Sequence, residues 1–137
     1  MAFEEIDYKG THLAKPHTPF LTEIAALVAA TGATAVTDPG DAGAIAGTGG
    51  GTCALTSGAV GETRTLAIPT AKGKRLTIFM DTDGGGAIAI TVAAAINPLG
   101  NTIITMADAG DMVELVGVTV GSALRWSVVS NNGCALS

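Results

Sequence analysis

Short apolar segments separated by turn-forming clusters repeat along the C-terminal half of the chain. Between Arg75 and Leu136, segments rich in Ile, Val, Leu and Thr alternate with clusters of Asp, Asn and Gly. The segments are residues 75–80, 87–93, 102–106, 112–118, 124–129 and 134–136. Strand-sized segments at this regular pitch are typical of antiparallel β-sandwiches and barrels. The pattern therefore predicts an all-β fold.

Two further segments upstream, residues 52–55 and 62–69, extend the pattern. In the second of them, Glu62, Arg64, Leu66 and Ile68 share one face, and Thr63, Thr65 and Ala67 share the other. The apolar end of the first set favours that face as the buried one. Counted from Thr52, the chain holds about eight strands, which predicts an antiparallel two-sheet sandwich of jelly-roll type.

Alternating side chains within the strands predict the core. We expect three inward sets, namely Leu76, Ile78 and Met80, then Ile88, Ile90 and Val92, then Leu124, Trp126 and Val128. A lone Trp in such an alternation favours a core anchor over a ligand-stacking pair formed with Arg125.

The first third of the chain lacks this pattern, and we expect residues 1–45 to form an N-terminal arm with a Gly-rich linker before a sandwich of residues 46–137. Residues 19–31 can form one short helix, with Thr18 as the cap and Gly32 at the stop, and an extended arm is the alternative. The glycine cluster at 47–51 favours a linker or hairpin over a phosphate-binding loop, because no Gly-Lys-Ser/Thr ending follows it.

The composition and charge of the chain exclude several classes of function. The net charge of −5, from 7 basic and 12 acidic residues, argues against binding to nucleic acid. The longest apolar run, residues 24–30, is much shorter than the roughly 20 residues that span a bilayer, so no membrane contact is expected. The acidic start lacks the basic region of a secretory signal, which favours synthesis in the cytoplasm and free thiols at Cys53 and Cys134. Abundant Ala and 19 Gly predict a thin core and an oligomer that stabilises it.

Four aspartates, Asp81, Asp83, Asp108 and Asp111, are weak calcium candidates, because carboxylates two or three residues apart can share one cation. Asp and Gly are also what hairpin turns require, and this interpretation is favoured. His12 and His17 are interpreted as exposed arm residues rather than metal ligands. We expect no catalytic residues and no cofactor, hence not an enzyme, with a hydrolase that uses the aspartate turns as a remote alternative.

Five blocks of the sequence resemble small structural proteins of tailed bacteriophages, of the kind that decorate capsids (cement proteins) or form head fibres. These blocks are residues 61–66, 81–85, 100–104, 108–111 and 125–133. The resemblance implies a virion structural protein that binds the outer capsid surface as a homotrimer and stabilises the shell. Its partners would be the major capsid protein and other copies of itself.

Large apolar side chains in the arm are candidates for contacts with the capsid or with neighbouring subunits. They are Phe3, Tyr8, Leu13 and Phe20. The alternative function is a host-surface or carbohydrate-binding module on a phage fibre or tail. Such a module needs an exposed aromatic patch or a cation site, whereas only 4% of the residues are aromatic.

Overall fold

Side chains alternate between buried and more exposed positions along most strands of residues 34–137, the part of the chain that this computed structural model describes. This part contains ten β-strands and a single 3-10 turn at Gly47–Gly49. The strands are β1 (Ala35–Val36), β2 (Gly43–Ile45), β3 (Gly51–Thr56), β4 (Glu62–Leu66), β5 (Arg75–Thr82), β6 (Ile88–Val92), β7 (Ile103–Met106), β8 (Met112–Val120), β9 (Ala123–Asn132) and β10 (Ala135–Leu136).

The strands form two five-stranded sheets, with the order β9-β8-β5-β3-β1 in the first sheet and β10-β7-β6-β4-β2 in the second. An all-β two-sheet sandwich is therefore confirmed, and from Gly51 onward it contains the eight strands that the sequence predicts. The jelly-roll arrangement is not confirmed by this strand order.

The expectation of purely antiparallel sheets is wrong. Within each sheet the first three strands along the chain pair in parallel, β1-β3-β5 in the first and β2-β4-β6 in the second. From β1 to β6 the chain passes to the other sheet after every strand and then returns, so neighbours in one sheet run in the same direction. Antiparallel pairing begins where β7 follows β6 in the second sheet, and β8 pairs in this way with both β5 and β9.

The core lies between the sheets and is built from the inward side chains. The predicted inward residues of β5 and β6 are buried, and so is Trp126 on β9, whereas its neighbours Leu124 and Val128 are half-buried. The remaining core residues include Leu55, Leu66, Ile104, Val113 and Leu115. Burial of Leu66 and Arg64, with Thr63 and Thr65 exposed, confirms the predicted inward face within β4. The expectation for Ile68 is wrong, because β4 ends at Leu66 and Ile68 is 44% exposed.

The segment 35–45, which the sequence assigns to the arm, belongs to both sheets. Ala35 pairs with Thr52, and Ala44 pairs with Thr65. The compact unit begins at Thr34. The glycine cluster is an ordered corner, since Gly50 has a φ of +94° and a β-carbon there would lie 2.8 Å from the Arg75 carbonyl oxygen. Only glycine fits that combination.

Several predictions concern residues that the structure does not describe. The helix at 19–31, the two histidines and the arm contacts Phe3, Tyr8, Leu13 and Phe20 all lie outside residues 34–137. Within those residues, no helix has the length and apolar character needed to cross a membrane.

Candidate functional site

A buried arginine is the centre of the most concentrated group of charges in the described domain. Arg64 occupies an inward position of β4 and is 1% exposed. Its Nε donates to Asp38 Oδ1 at 2.9 Å, and its Nη2 donates to Glu62 Oε1 at 3.0 Å. Its Nη1 donates to the carbonyl oxygen of Thr63 at 2.9 Å. The guanidinium is thus held by two carboxylates and a backbone oxygen.

The two carboxylates also receive backbone hydrogen bonds, which fixes the surrounding turns. Asp38 accepts from the N–H groups of Gly40 at 3.0 Å and Thr56 at 2.9 Å. Glu62 Oε2 accepts from the N–H of Gly58 at 2.6 Å. These bonds join the β1–β2 turn, the end of β3 and the start of β4. We call Arg64, Asp38 and Glu62 the Arg64 cluster.

The electrostatics of this cluster favour its ionised state. Burial raises the pKa of Asp38, but hydrogen bonds from Arg64, Thr56 and Gly40 lower it by more, so the pKa lies below its ordinary value. Burial lowers the pKa of Arg64, and its contacts with Asp38 and Glu62 raise it above the ordinary value. Because the charged groups bind one another, the cluster offers no free acid, base or ligand.

The turn that contains Asp83 is held by hydrogen bonds of its own. Asp83 Oδ1 accepts from the Gly85 N–H at 2.7 Å and from the Ser57 hydroxyl at 3.2 Å. The Ser57 oxygen in turn accepts from the Gly84 N–H at 3.0 Å. These contacts lock the turn after β5 against the corner after β3, so Asp83 has the turn-forming role that the sequence favours. The turn is not part of a hairpin, however, because β5 and β6 lie in different sheets. Asp81, next to this turn, is exposed.

Asp111 closes the second acidic turn. Its Oδ2 accepts from the N–H groups of Ala107 at 2.7 Å and Asp108 at 3.2 Å, and the residue is 9% exposed. Its Oδ1 packs against Gly133, at which a β-carbon would collide with it. Asp108, by contrast, is exposed. Asp111 therefore has a structural role in its turn.

The two acidic turns lie next to each other at one end of the first sheet. The Met80 N–H donates to the Asp111 carbonyl oxygen at 2.9 Å. The Gly110 N–H donates to the Met80 carbonyl oxygen at 2.8 Å. This proximity is the arrangement that a shared calcium site requires. However, the carboxylates do not converge, since residues 34–137 hold no group of three or more His, Cys, Asp or Glu placed to bind a metal.

The two cysteines are free and buried, as predicted. Cys53 lies on β3 of the first sheet, whereas Cys134 directly precedes β10 of the second. Burial, followed by the charge of Asp38, raises the pKa of Cys53 to about 11. Burial, followed by the charge of Asp111, raises the pKa of Cys134 to about 11. Both thiols are therefore protonated and poorly nucleophilic near neutral pH.

Trp126 is a core anchor, as predicted. Its ring is fully buried, and its Nε1 donates to the Ala67 carbonyl oxygen at 3.0 Å. A ligand in solvent cannot stack on this ring, so the pairing with Arg125 forms no binding platform. The other aromatic residue in the described part, Phe79, is half-buried on the outer side of β5.

The surface depressions of the described domain are lined by few reactive or charged side chains. One of about 400 Å³ lies beside β1 and is lined by residues 34–37, Ala46, Gly49 and Gly50. Its lining has no titratable side chain. A second, of about 120 Å³, lies where Asn97 and Pro98 approach Arg125 and Ser127. Neither resembles the enclosed apolar pocket with converging polar groups that small ligands require.

The alternation in the sequence places Arg64 on the correct face together with Glu62, but it indicates neither their ion pair nor the contact with Asp38. The available signal was an arginine in the alternation that ends in Leu66, because a buried guanidinium requires carboxylates nearby. Sequence spacing did not reveal that Asp38, assigned to a turn, lies beside it.

Comparison with protein families and with curated proteins identifies no relative of the chain. No protein-family model matches the chain, and no curated protein matches its sequence.

Proposed function

We propose that this chain is a virion structural protein that decorates a tailed-phage capsid. In this proposal it binds the outer capsid surface as a homotrimer, contacts the major capsid protein and stabilises the shell without catalysis.

The observation that carries the proposal is that the buried charged side chains of the domain are bound by other groups of the same domain. Arg64 is bound by Asp38 and Glu62, and Asp111 is bound by backbone N–H groups of its own turn. Active sites, by contrast, place titratable groups in clefts where substrates reach them. A domain whose polar side chains fix its turns suits a rigid module that acts through its surface.

The sequence blocks that carry the phage resemblance support the same proposal. Residues 81–85 and 108–111 form the two adjacent acidic turns, and residues 125–133 cover most of β9 with the turn that follows it. The other two blocks, 61–66 and 100–104, cover β4 and the start of β7. The resemblance thus follows strands and turns, which are features of the scaffold rather than of a catalytic site.

The first test combines sedimentation equilibrium with co-sedimentation on capsids. The full chain of 13.5 kDa is expected to sediment with three times that mass and to pellet with mature capsids. A protein that stays in the supernatant with such capsids contradicts the decoration role, whatever its mass.

The second test addresses the arm in the full-length protein. Replacement of Phe3, Tyr8, Leu13 and Phe20 by Ser is expected to abolish pelleting with capsids, because these side chains would provide the apolar contacts. The matched control replaces Glu4, Lys9, Thr11 and Thr18 in the same segment by Ser and is expected to pellet normally. Equal occupancy of both variants on capsids refutes the arm assignment.

A further inference from the structure

Residues 34–45 cross from the edge of one sheet to the edge of the other. Within this segment β1 is an edge strand of the first sheet, and β2 is an edge strand of the second. Two residue pairs join β1 to β3, and three join β2 to β4. At the opposite edge of the first sheet, by comparison, nine residue pairs join β9 to β8. We call residues 34–45 the strap, because little backbone pairing holds this segment against the two sheets.

The strap contributes little to the apolar core. Ile45 is its only buried side chain, and Val36 is half-buried. Its two alanines next to these positions, Ala35 and Ala44, are exposed. The cost of a local opening rises with the apolar area that the opening exposes to water. A segment with a single buried side chain therefore opens more easily than the whole sandwich unfolds.

Two carboxylates in the turn between β1 and β2 supply further anchorage. Asp38 accepts hydrogen bonds from Arg64 Nε and from the Thr56 N–H, both at 2.9 Å. Asp41 Oδ1 accepts from the Thr63 N–H at 2.8 Å. These bonds attach the strap to the end of β3 and to the start of β4. Because hydrogen bonds between charged groups are stronger than neutral ones, we expect the pair of Asp38 with Arg64 to be the strongest contact of the strap.

Arg64 has partners that do not belong to the strap. Its Nη2 donates to Glu62 Oε1, and its Nη1 donates to the Thr63 carbonyl oxygen, so both acceptors lie on β4 itself. The buried guanidinium would therefore retain a carboxylate of its own strand when the strap leaves. Asp38 would move into water, where a carboxylate is well solvated. Opening of the strap thus leaves the charge of Arg64 paired inside the domain.

The glycine corner that follows the strap has separate contacts with the domain. Gly47 is buried, and a β-carbon there would lie 2.8 Å from the Leu76 side chain. The Thr48 carbonyl oxygen accepts from the Thr70 N–H at 2.9 Å and from the Thr70 hydroxyl at 3.1 Å. None of these contacts involves the strap. The corner therefore stays in place when the strap opens, and the opening ends at Ile45.

The strap covers one of the two cysteines. Cys53 lies on β3 in register with Val36 of β1, and its side chain is fully buried. Without the strap, β3 and β4 would become the edges of their sheets, and the Cys53 thiol would lie beside the open edge. Cys134 directly precedes β10, which is the opposite edge of the second sheet from β2. The two thiols therefore report on opposite sides of the sandwich.

We propose that the strap opens as a unit while the rest of the sandwich stays folded, and that Asp38 holds it closed. This inference goes beyond the proposed function and does not depend on it. The strap is the covalent connection between residues 1–33 and the sandwich. When extended, residues 34–45 lengthen that connection by up to about 40 Å. Opening of the strap would therefore give residues 1–33 a longer reach while the sandwich keeps its structure.

The test is alkylation of the full-length protein by iodoacetamide at pH 8, with the label on each cysteine measured by mass spectrometry. Asp38→Ala removes the charged anchor, and we expect it to raise the labelling rate of Cys53 by about 10- to 100-fold. The labelling rate of Cys134 is expected to keep its wild-type value. The matched control is Asp83→Ala, because the Asp83 carboxylate binds Ser57 and Gly85 rather than the strap. This control is expected to change neither rate.

Hydrogen exchange of the wild-type protein tests the same inference without a substitution. The amides of Ala42 and Gly43 donate to Thr63 and Gly40 in the closed strap. We expect them to exchange before the amides of β5 and β8, because opening of the strap exposes them and leaves the central strands paired. Equal protection of the strap and of these central strands overturns the proposal.

The labelling outcomes separate local from global opening. Faster labelling of Cys53 alone supports the strap. Equal acceleration at Cys53 and Cys134 overturns it, because the whole sandwich then opens. An unchanged Cys53 rate in Asp38→Ala also overturns it, since the carboxylate then does not hold the segment closed. Each of these results leaves the decoration role to its own test on capsids.

Discussion

The guanidinium of Arg64 and the carboxylate of Asp38 meet 2.9 Å apart on the inner side of the sandwich, although 26 positions separate them in the sequence. Arg64 belongs to β4, and Asp38 belongs to the turn between β1 and β2. The pair therefore fixes the first two strands, one in each sheet, to the rest of the domain.

Removal of the Arg64 side chain is expected to destabilise the fold strongly. Arg64→Met leaves Asp38 and Glu62 partly buried without their cation, and a broken buried pair typically costs about 3–5 kcal/mol. The matched control is Arg75→Met, which breaks the exposed pair with Glu114 and is expected to cost less than about 1 kcal/mol. Urea unfolding followed by Trp126 fluorescence measures both. Similar losses for the two variants contradict a central role for the Arg64 cluster.

The stability provided by Asp38 is expected to depend on pH. Its pKa is lower in the folded protein than its ordinary value of about 3.8, so the ionised group contributes stability above that value. That contribution is lost as the pH falls through the lower folded value. Asp38→Asn is therefore expected to be less stable than wild type at pH 7, by an amount that shrinks below about pH 4. The check is a series of urea titrations from pH 7 to pH 3, and a difference that stays constant over the series counts against the ion pair.

Both cysteines are expected to resist alkylation in the native protein. Their thiols are buried, with pKa values of about 11, so little thiolate is available to react at pH 8. Iodoacetamide followed by mass spectrometry is expected to add no label to the folded chain and two labels in urea. Rapid labelling of Cys53 or Cys134 without denaturant would show that the sandwich opens at that strand.

The two aspartates of the second acidic turn are expected to differ in their effect on stability. Asp111→Ala leaves the Ala107 and Asp108 N–H groups without their acceptor and is expected to cost about 1–3 kcal/mol. Asp108→Ala, at an exposed position, is expected to change stability by less than about 0.5 kcal/mol.

Calcium provides the control for this interpretation of the turn. Addition of millimolar calcium is expected to leave the melting temperature of the wild-type protein unchanged, because the oxygens of Asp111 and Asp83 already accept hydrogen bonds. A calcium-dependent rise that Asp108→Ala removes would instead establish a metal site.

The strands could be predicted from the sequence because each is a local pattern. Alternation placed Leu76, Ile78 and Met80 in the core, and Asp and Gly marked the turns. The pairing of the strands could not be predicted in this way. A turn that reverses the chain within one sheet and a turn that crosses to the other sheet use the same residues. The sheets were therefore expected to be antiparallel throughout, whereas β3 and β5 pair in parallel.

The contacts of the Arg64 cluster could not be predicted from local sequence patterns either. The alternation of side chains predicts that Arg64 points into the core. That Asp38 is its partner depends on tertiary structure, because β2 pairs in parallel with β4 and the preceding turn places Asp38 beside Thr56 at the end of β3. The segment 35–45 was assigned to the arm for a related reason. Its two strands contain only two and three residues, and pairing rather than propensity holds them in the sheets.

Electron microscopy of tailed-phage capsids assembled with and without the full-length protein tests the proposed decoration role most directly. We expect added density on the outer surface, with three copies of a sandwich about each threefold or quasi-threefold position. Identical shells in the two preparations would contradict the decoration role.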